Sequence, residues 1–108
     1  MALMNKVVVK ADGASAATTV ITGAASFGGV LIGTDGANDP EITVYDNTEA
    51  ALVEILPTTV YDASALGLNG AMIPHPIHCS IGIHVTVTAD GGGAFGGVAE
   101  VTVLYRQI

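Results

Sequence analysis

Charge is what this chain has least of. Only 12% of its 108 residues are Asp, Glu, Lys or Arg, about half the ordinary share. Three Lys or Arg stand against ten Asp or Glu, for a net charge of −7. A surface so poor in cations repels phosphate backbones, which argues against a nucleic-acid-binding role. Tryptophan is absent and aromatics make up 5%, so the stacking platforms that a sugar site would use are few. Cys79 is the one cysteine and permits no internal disulfide. It reads as a small buried thiol, with a reactive or metal-bound thiol as the alternative. Half of the residues are hydrophobic, yet Gly, Thr or Asp interrupts every apolar run long before the roughly 20 residues that span a bilayer. No membrane association is expected. The segment MALMNKVVVK lacks the apolar core of a secretory signal, so the chain is expected to stay where it is synthesised.

What the chain has in abundance is glycine, with 14 residues, together with alanine and threonine. A free monomer usually covers itself with mixed charges for solubility. The scarcity of charge therefore points to a surface partly covered by other subunits, in a homo-oligomer or a larger assembly. The alternative is an acidic monomer whose Ala and Gly raise the apolar percentage without making adhesive patches. At this length one domain is expected, burying roughly 65% of the surface of its unfolded chain.

Strand-like runs recur with turn signals between them. The runs are MNKVVVK at 4–10, ATTVITG at 17–23, FGGVLIG at 27–33 and EITVYDN at 41–47. Their β-branched residues suit a pleated, half-buried surface. Gly28 and Gly29 predict a bulge or close backbone packing in the third run. TDGANDP at 34–40 supplies turn chemistry at nearly every position. TEAALVEILP is ambiguous: Thr48 could cap a short helix, but Pro57 would stop it. A turn at 48–51 followed by a strand at 52–56 is the preferred reading. Residues 57–70 read as irregular, with TTVYD at 58–62 as a candidate edge strand and ASALGLNG as a loop, and a short strand AMIP leads to a proline-flanked corner, HPIHC. The clearest pattern is the last. Ile81, Ile83, Val85 and Val87 alternate with Gly82, His84, Thr86 and Thr88, and Ala99, Val101, Val103 and Tyr105 alternate with Val98, Glu100, Thr102 and Leu104. With ADGGGAFGG between them, the two runs read as a closing hairpin. Many short strands, little helix and no strand-helix alternation predict an all-β fold, a single antiparallel β-sandwich or jelly roll over 1–108, with a closed β-barrel as the alternative.

No chemical motif matches these patterns in strength. His75, His78 and Cys79 fall within five residues and His84 follows on the next strand. Such nitrogen and sulfur ligands could begin a zinc site, but no second CxxC or HxxxH partner exists and adjacent residues of an extended chain point apart. Asp35, Asn38, Asp39 and Glu41 crowd one turn with oxygen ligands that suit calcium, without the spacing of an EF-hand loop. Asx turns explain Asp35 and Asn38 equally well. The serines carry no nucleophile motif. Gly91, Gly92 and Gly93 are followed by no GK[ST] and no helix, so they do not form a phosphate loop. No catalytic residue and no cofactor is assigned.

GVLIGTDGANDPEITVYDN at 29–47 and LGLNGAMIPHPIHCSIGIHVTVT at 66–88 resemble small all-β virion proteins of tailed bacteriophages. The shared features are the strand-turn-strand unit, a glycine-containing loop, and a final IGIHVTVT strand with a VTVLYR terminus. The resemblance covers between half and three quarters of the chain. It implies a non-enzymatic capsid decoration or cement subunit, or else a head-tail or tail accessory subunit. It further implies a place in the virion after assembly in the host cytoplasm, beside partners such as the major capsid protein. It supplies no catalytic residue. In such a subunit, contacts are expected from an N-terminal arm or edge strand at 1–10, through Val7 and Val9, and from the loops at 34–40 and 89–97, through Asp35, Asn38, Gly91, Gly92 and Phe95. The 89–97 loop should be mobile in the free chain. A sugar- or calcium-binding β-sandwich module is the reading from a different class.

Overall fold

The alternation in the sequence becomes eight strands in the computed structural model, which describes residues 5–64 and 69–108, the side chains of 69–75 excepted. They are β1 (Asn5–Asp12), β2 (Ala16–Thr22), β3 (Ala25–Thr34), β4 (Pro40–Tyr45), β5 (Glu54–Val60), β6 (Asn69–Cys79), β7 (Gly82–Ala89) and β8 (Val98–Gln107). No helix occurs among the described residues. Two four-stranded sheets form, in the orders β1-β8-β3-β6 and β2-β7-β4-β5, with every pairing antiparallel. Strand 1 pairs with 8, 2 with 7, 3 with 6 and 4 with 5, a nested set that rolls up into a double-sheet jelly roll. The sheets pack face to face as a sandwich and do not close into a barrel.

Each sheet turns one row of alternate residues inward. In the first sheet Val9, Val101 and Ile32 lie side by side, as do Val7, Val103 and Val30. The second answers with Ala16, Val87 and Ile42, then Thr18, Val85 and Val44. Phe27, Ile32, Val85, Val87, Val101 and Val103 are fully buried, and burying a side chain of this size contributes roughly 1.5–3 kcal/mol. Within these rows, Val85 and Val87 of β7 and Val101 and Val103 of β8 are the inner residues that the alternation predicts.

The partners differ from expectation. β7 and β8 do not form a hairpin: β7 pairs with β2 and β4 in one sheet, and β8 with β1 and β3 in the other. A two- to five-residue loop would hold adjacent strands together, whereas residues 90–97 are long enough to cross the roughly 10 Å between packed sheets. The two apolar faces therefore meet across the core. Ile81 falls outside β7 and is exposed. β5 begins at Glu54 and runs through Pro57 to Val60, two residues later than the expected start. The corner at HPIHC is the second half of one long strand, β6. Its prolines fall where the register to β3 breaks, between the pairs Phe27–Ile77 and Gly29–Met72. An edge strand tolerates the missing N–H groups there. The bulge predicted at Gly28 and Gly29 is present.

Candidate interaction surfaces

The jelly-roll connectivity sends the connections to two opposite ends of the sandwich. One end carries residues 13–15, 35–39, 61–64 and 90–97. Asp35 is its hub: Oδ1 accepts the N–H groups of Ala37 at 2.9 Å and Asn38 at 3.0 Å, and Oδ2 accepts Asn38 Nδ2 and the N–H of Val98, each at 3.0 Å. These bonds, led by Ala37, hold its carboxyl well below the usual carboxylate range. Asp39 accepts the N–H of Ala63 at 2.8 Å. Glu41 accepts the Thr88 hydroxyl at 3.2 Å and the N–H of Gly91 at 3.4 Å. The acidic turn is thus occupied by the chain's own donors.

The glycine-rich connection is anchored as well. Phe95 donates its N–H to Ser15 Oγ at 3.0 Å, Ala89 donates to the Gly93 carbonyl at 3.0 Å, and Gly13 donates to the Gly97 carbonyl at 2.9 Å. These bonds make the connection a strap fastened to residues 13 and 15. Asp35, Asn38, Gly91 and Gly92 are exposed at this end, where the loop reading places them. Val9 and Phe95 are not surface residues: they are 3% and 1% exposed and belong to the core. Val9 faces inward by strand parity, and Phe95 turns under the strap. Val7 is half-buried on the same inner side of β1. Residues 5–10 are no loose arm, because β1 pairs without interruption along β8.

The other end carries residues 23–24, 46–53 and 80–81. Asp46 organises it, accepting the N–H groups of Ile81 at 2.9 Å, Ser80 at 3.1 Å and Gly82 at 3.3 Å. Burial pushes its carboxyl up, but these three donors and the nearby His78 outweigh that and bring it below the ordinary value. The Asp46 N–H donates to the Val53 carbonyl at 2.9 Å, and Gly23 donates to the Ile81 carbonyl at 2.7 Å. Asn47 spans the turn, accepting the Thr48 N–H at 2.7 Å and donating to the Ala51 carbonyl at 3.2 Å. Leu52, Val53 and Ile81 stand out from this end, 86%, 56% and 49% exposed. Leu52 also has φ of 65°, the one positive value at a non-glycine among the described residues.

His78, Cys79 and His84 do not converge. His78 is exposed on the outer side of β6 while Cys79 is buried on the inner side. Burial and the charge of Asp46 raise the Cys79 thiol to about 11. His84 lies in the other sheet, nearly buried, with Nδ1 3.0 Å from the Thr19 hydroxyl and its ring tilted against Tyr45. Burial lowers its pKa, opposed in part by Glu49. The side chain of His75 lies outside the described residues. No group of three His, Cys, Asp or Glu able to hold a metal ion forms among the described residues.

Two features escaped the sequence reading. One is the apolar end at Leu52, Val53 and Ile81, in which Ile81 lies 28 residues beyond Val53 along the chain. The other is the segregation of charge. Lys6, Lys10 and Arg106 are the only Lys and Arg, and strand parity places all three on the outer face of the first sheet, around Val8 and Leu104. Lys10 lies 3.9 Å from both Asp12 and Glu100.

All four sheet edges carry features that discourage strand addition. β1 has Lys6 and Lys10, β2 is bulged between Thr19 and Ile21, and β5 and β6 contain Pro57, Pro74 and Pro76. No family model, curated protein or solved structure matches the chain.

Proposed function

We propose that this chain is a non-enzymatic structural subunit of a tailed-bacteriophage virion, a capsid decoration or cement protein that docks in several copies and stabilises the particle. The observation that carries the reading is the use of the polar groups. Asp35, Asp39, Glu41 and Asp46 are each engaged by the chain's own donors, so they brace loops and leave shape and apolar area as the means of recognition. The double-sheet jelly roll supports the reading, since capsid domains use this architecture, although lectins and cupins share it. The resemblance of residues 29–47 and 66–88 to phage virion proteins supplies the narrower class. The blunted edges favour burial of apolar ends and faces over strand addition, with the major capsid protein as the natural neighbour. A head-tail or tail accessory position uses the same surfaces. The test is co-sedimentation of the purified chain with phage heads assembled without it, followed by thermal melting of the heads. Saturable binding that raises the melting temperature is expected. Absence of binding to heads and to tails rejects the reading.

A further inference from the structure

Among the described residues, Leu52 combines two unfavourable features that the isolated chain does nothing to offset. Its side chain is almost fully in water and its backbone is left-handed, a conformation that crowds the Cβ of an L residue against the backbone carbonyl. Val53 and Ile81 stand beside it, because Asp46 binds both the Val53 carbonyl and the Ile81 N–H. Such an apolar cluster at a strained turn is a contact surface awaiting a partner.

The charges around it select the partner. Exposed Glu49 and Glu54 flank Leu52 and Val53 on the side of the second sheet. On the side of the first sheet stands exposed Arg106, whose pair across the ladder, Ser26, closely follows the turn bound to Ile81. The patch is acidic on one rim and basic on the other. The opposite end of the sandwich carries Asp35, Asp39, Glu41 and Asp90, and Lys10, which lies near it on β1, is shared between Asp12 and Glu100, so two copies of this end would repel each other.

We propose that the end formed by residues 46–53 and 80–81 is a homodimer contact, in which a twofold axis packs Leu52, Val53 and Ile81 against the same residues of a second copy and brings each Arg106 to the other copy's Glu49 and Glu54. A twofold contact is self-complementary by construction, and a rim with opposite charges on its two sides meets that condition. The apolar centre supplies the attraction and the ion pairs fix the orientation. The proposal deepens the assembly reading and rests on it only for where the dimer is used.

Sedimentation of the isolated chain over a concentration series tests it. A monomer–dimer equilibrium is expected. Leu52→Asn should weaken it by about tenfold or more while the melting temperature of the dilute chain is kept, and Val60→Asn, at an exposed site elsewhere, should leave it unchanged. Arg106→Glu should weaken the dimer, and Arg106→Glu with Glu49→Lys and Glu54→Lys should restore it. A chain monomeric throughout, a dimer indifferent to Leu52→Asn, or a charge reversal that fails to restore association overturns the proposal. Binding of the monomeric Leu52→Asn chain to phage heads is the separate measurement that keeps the virion reading distinct.

Discussion

Asp35 and Val98 hold each other by both backbone and side chain. The N–H of Asp35 donates to the Val98 carbonyl at 3.0 Å, and the N–H of Val98 donates to Asp35 Oδ2 at 3.0 Å. The pair joins the end of β3 to the start of β8, 63 residues later in the chain. Backbone donors at the end of a sheet would otherwise need water or another partner, and here a single carboxylate satisfies three of them.

Acid should therefore unfasten the molecule in two stages. The Asp35 and Asp46 carboxyls are depressed in the fold, so the unfolded chain, with Asp near 3.9, binds protons first as pH falls. Their contribution is complete above that value and is lost progressively as pH falls below it toward their depressed folded-state values. His84 is held neutral by burial, so unfolded chains take up its proton first below about pH 6.5. Urea midpoints should fall gently below about 6.5 and more steeply below about 4. His84→Gln should remove the first decline and Asp35→Asn should shrink the second. A midpoint constant between pH 7 and 3 would refute both assignments.

The Asp35 hub also constrains its neighbour. A Cβ at Gly97 would come within 2.5 Å of both Asp35 Oδ2 and Asn38 Nδ2, whereas one at Gly93 would meet nothing within 4 Å. Gly97→Ala must push apart the groups that hold Val98 and should cost about 1–3 kcal/mol. Gly93→Ala should stay within about 0.5 kcal/mol of the parent. Equal urea midpoints for the two variants would show that the hub is slack.

Much of the sandwich was legible because burial imposes a two-residue period on any strand with one wet face. The inner rows of Ile83, Val85 and Val87 and of Ala99, Val101 and Val103 follow from that rule alone, and the glycines at 28–29 announced their bulge. Partnership was not legible. Alternation tells which face of β7 is buried but not which strand lies beside it, and a connection as long as 90–97 leaves that choice to the packing of the whole chain. Proline misled in the opposite way. Pro57, Pro74 and Pro76 read as breaks, yet they lie within edge strands, where the register to the one neighbouring strand shifts. The candidate contacts divided on the same ground. Asp35 and Asn38 were found through turn chemistry, which is local, while the exposed end at Leu52 and Ile81 is assembled only when Asp46 reaches across to residues 80–82.

Cys79 should behave as a reporter of global opening. The side chain is fully buried, and burial, aided by the nearby Asp46 charge, raises the thiol to about 11. At pH 8 it is therefore protonated as well as shielded, and the thiolate is the reactive form. Labelling by a thiol-specific disulfide reagent should proceed no faster than unfolding and should accelerate with urea. Rapid stoichiometric labelling of the native chain would show that the inner side of β6 is open.

Phe95 decides whether the glycine-rich strap is a recognition loop or a lid on the core. It is 1% exposed and packs into the same cluster as Phe27 and Val103, so Phe95→Ala should cost about 3–5 kcal/mol through the cavity it leaves. That is a large share of the roughly 5–15 kcal/mol that keeps a domain folded. Any loss of particle binding in this variant should track its unfolded fraction and recover under conditions that restore the fold. Asn38→Ala, on the exposed side of the same end, should show a smaller change in unfolding midpoint. If Phe95→Ala keeps the parental midpoint and still fails to bind, the residue acts at the interface and the strap must lift for docking.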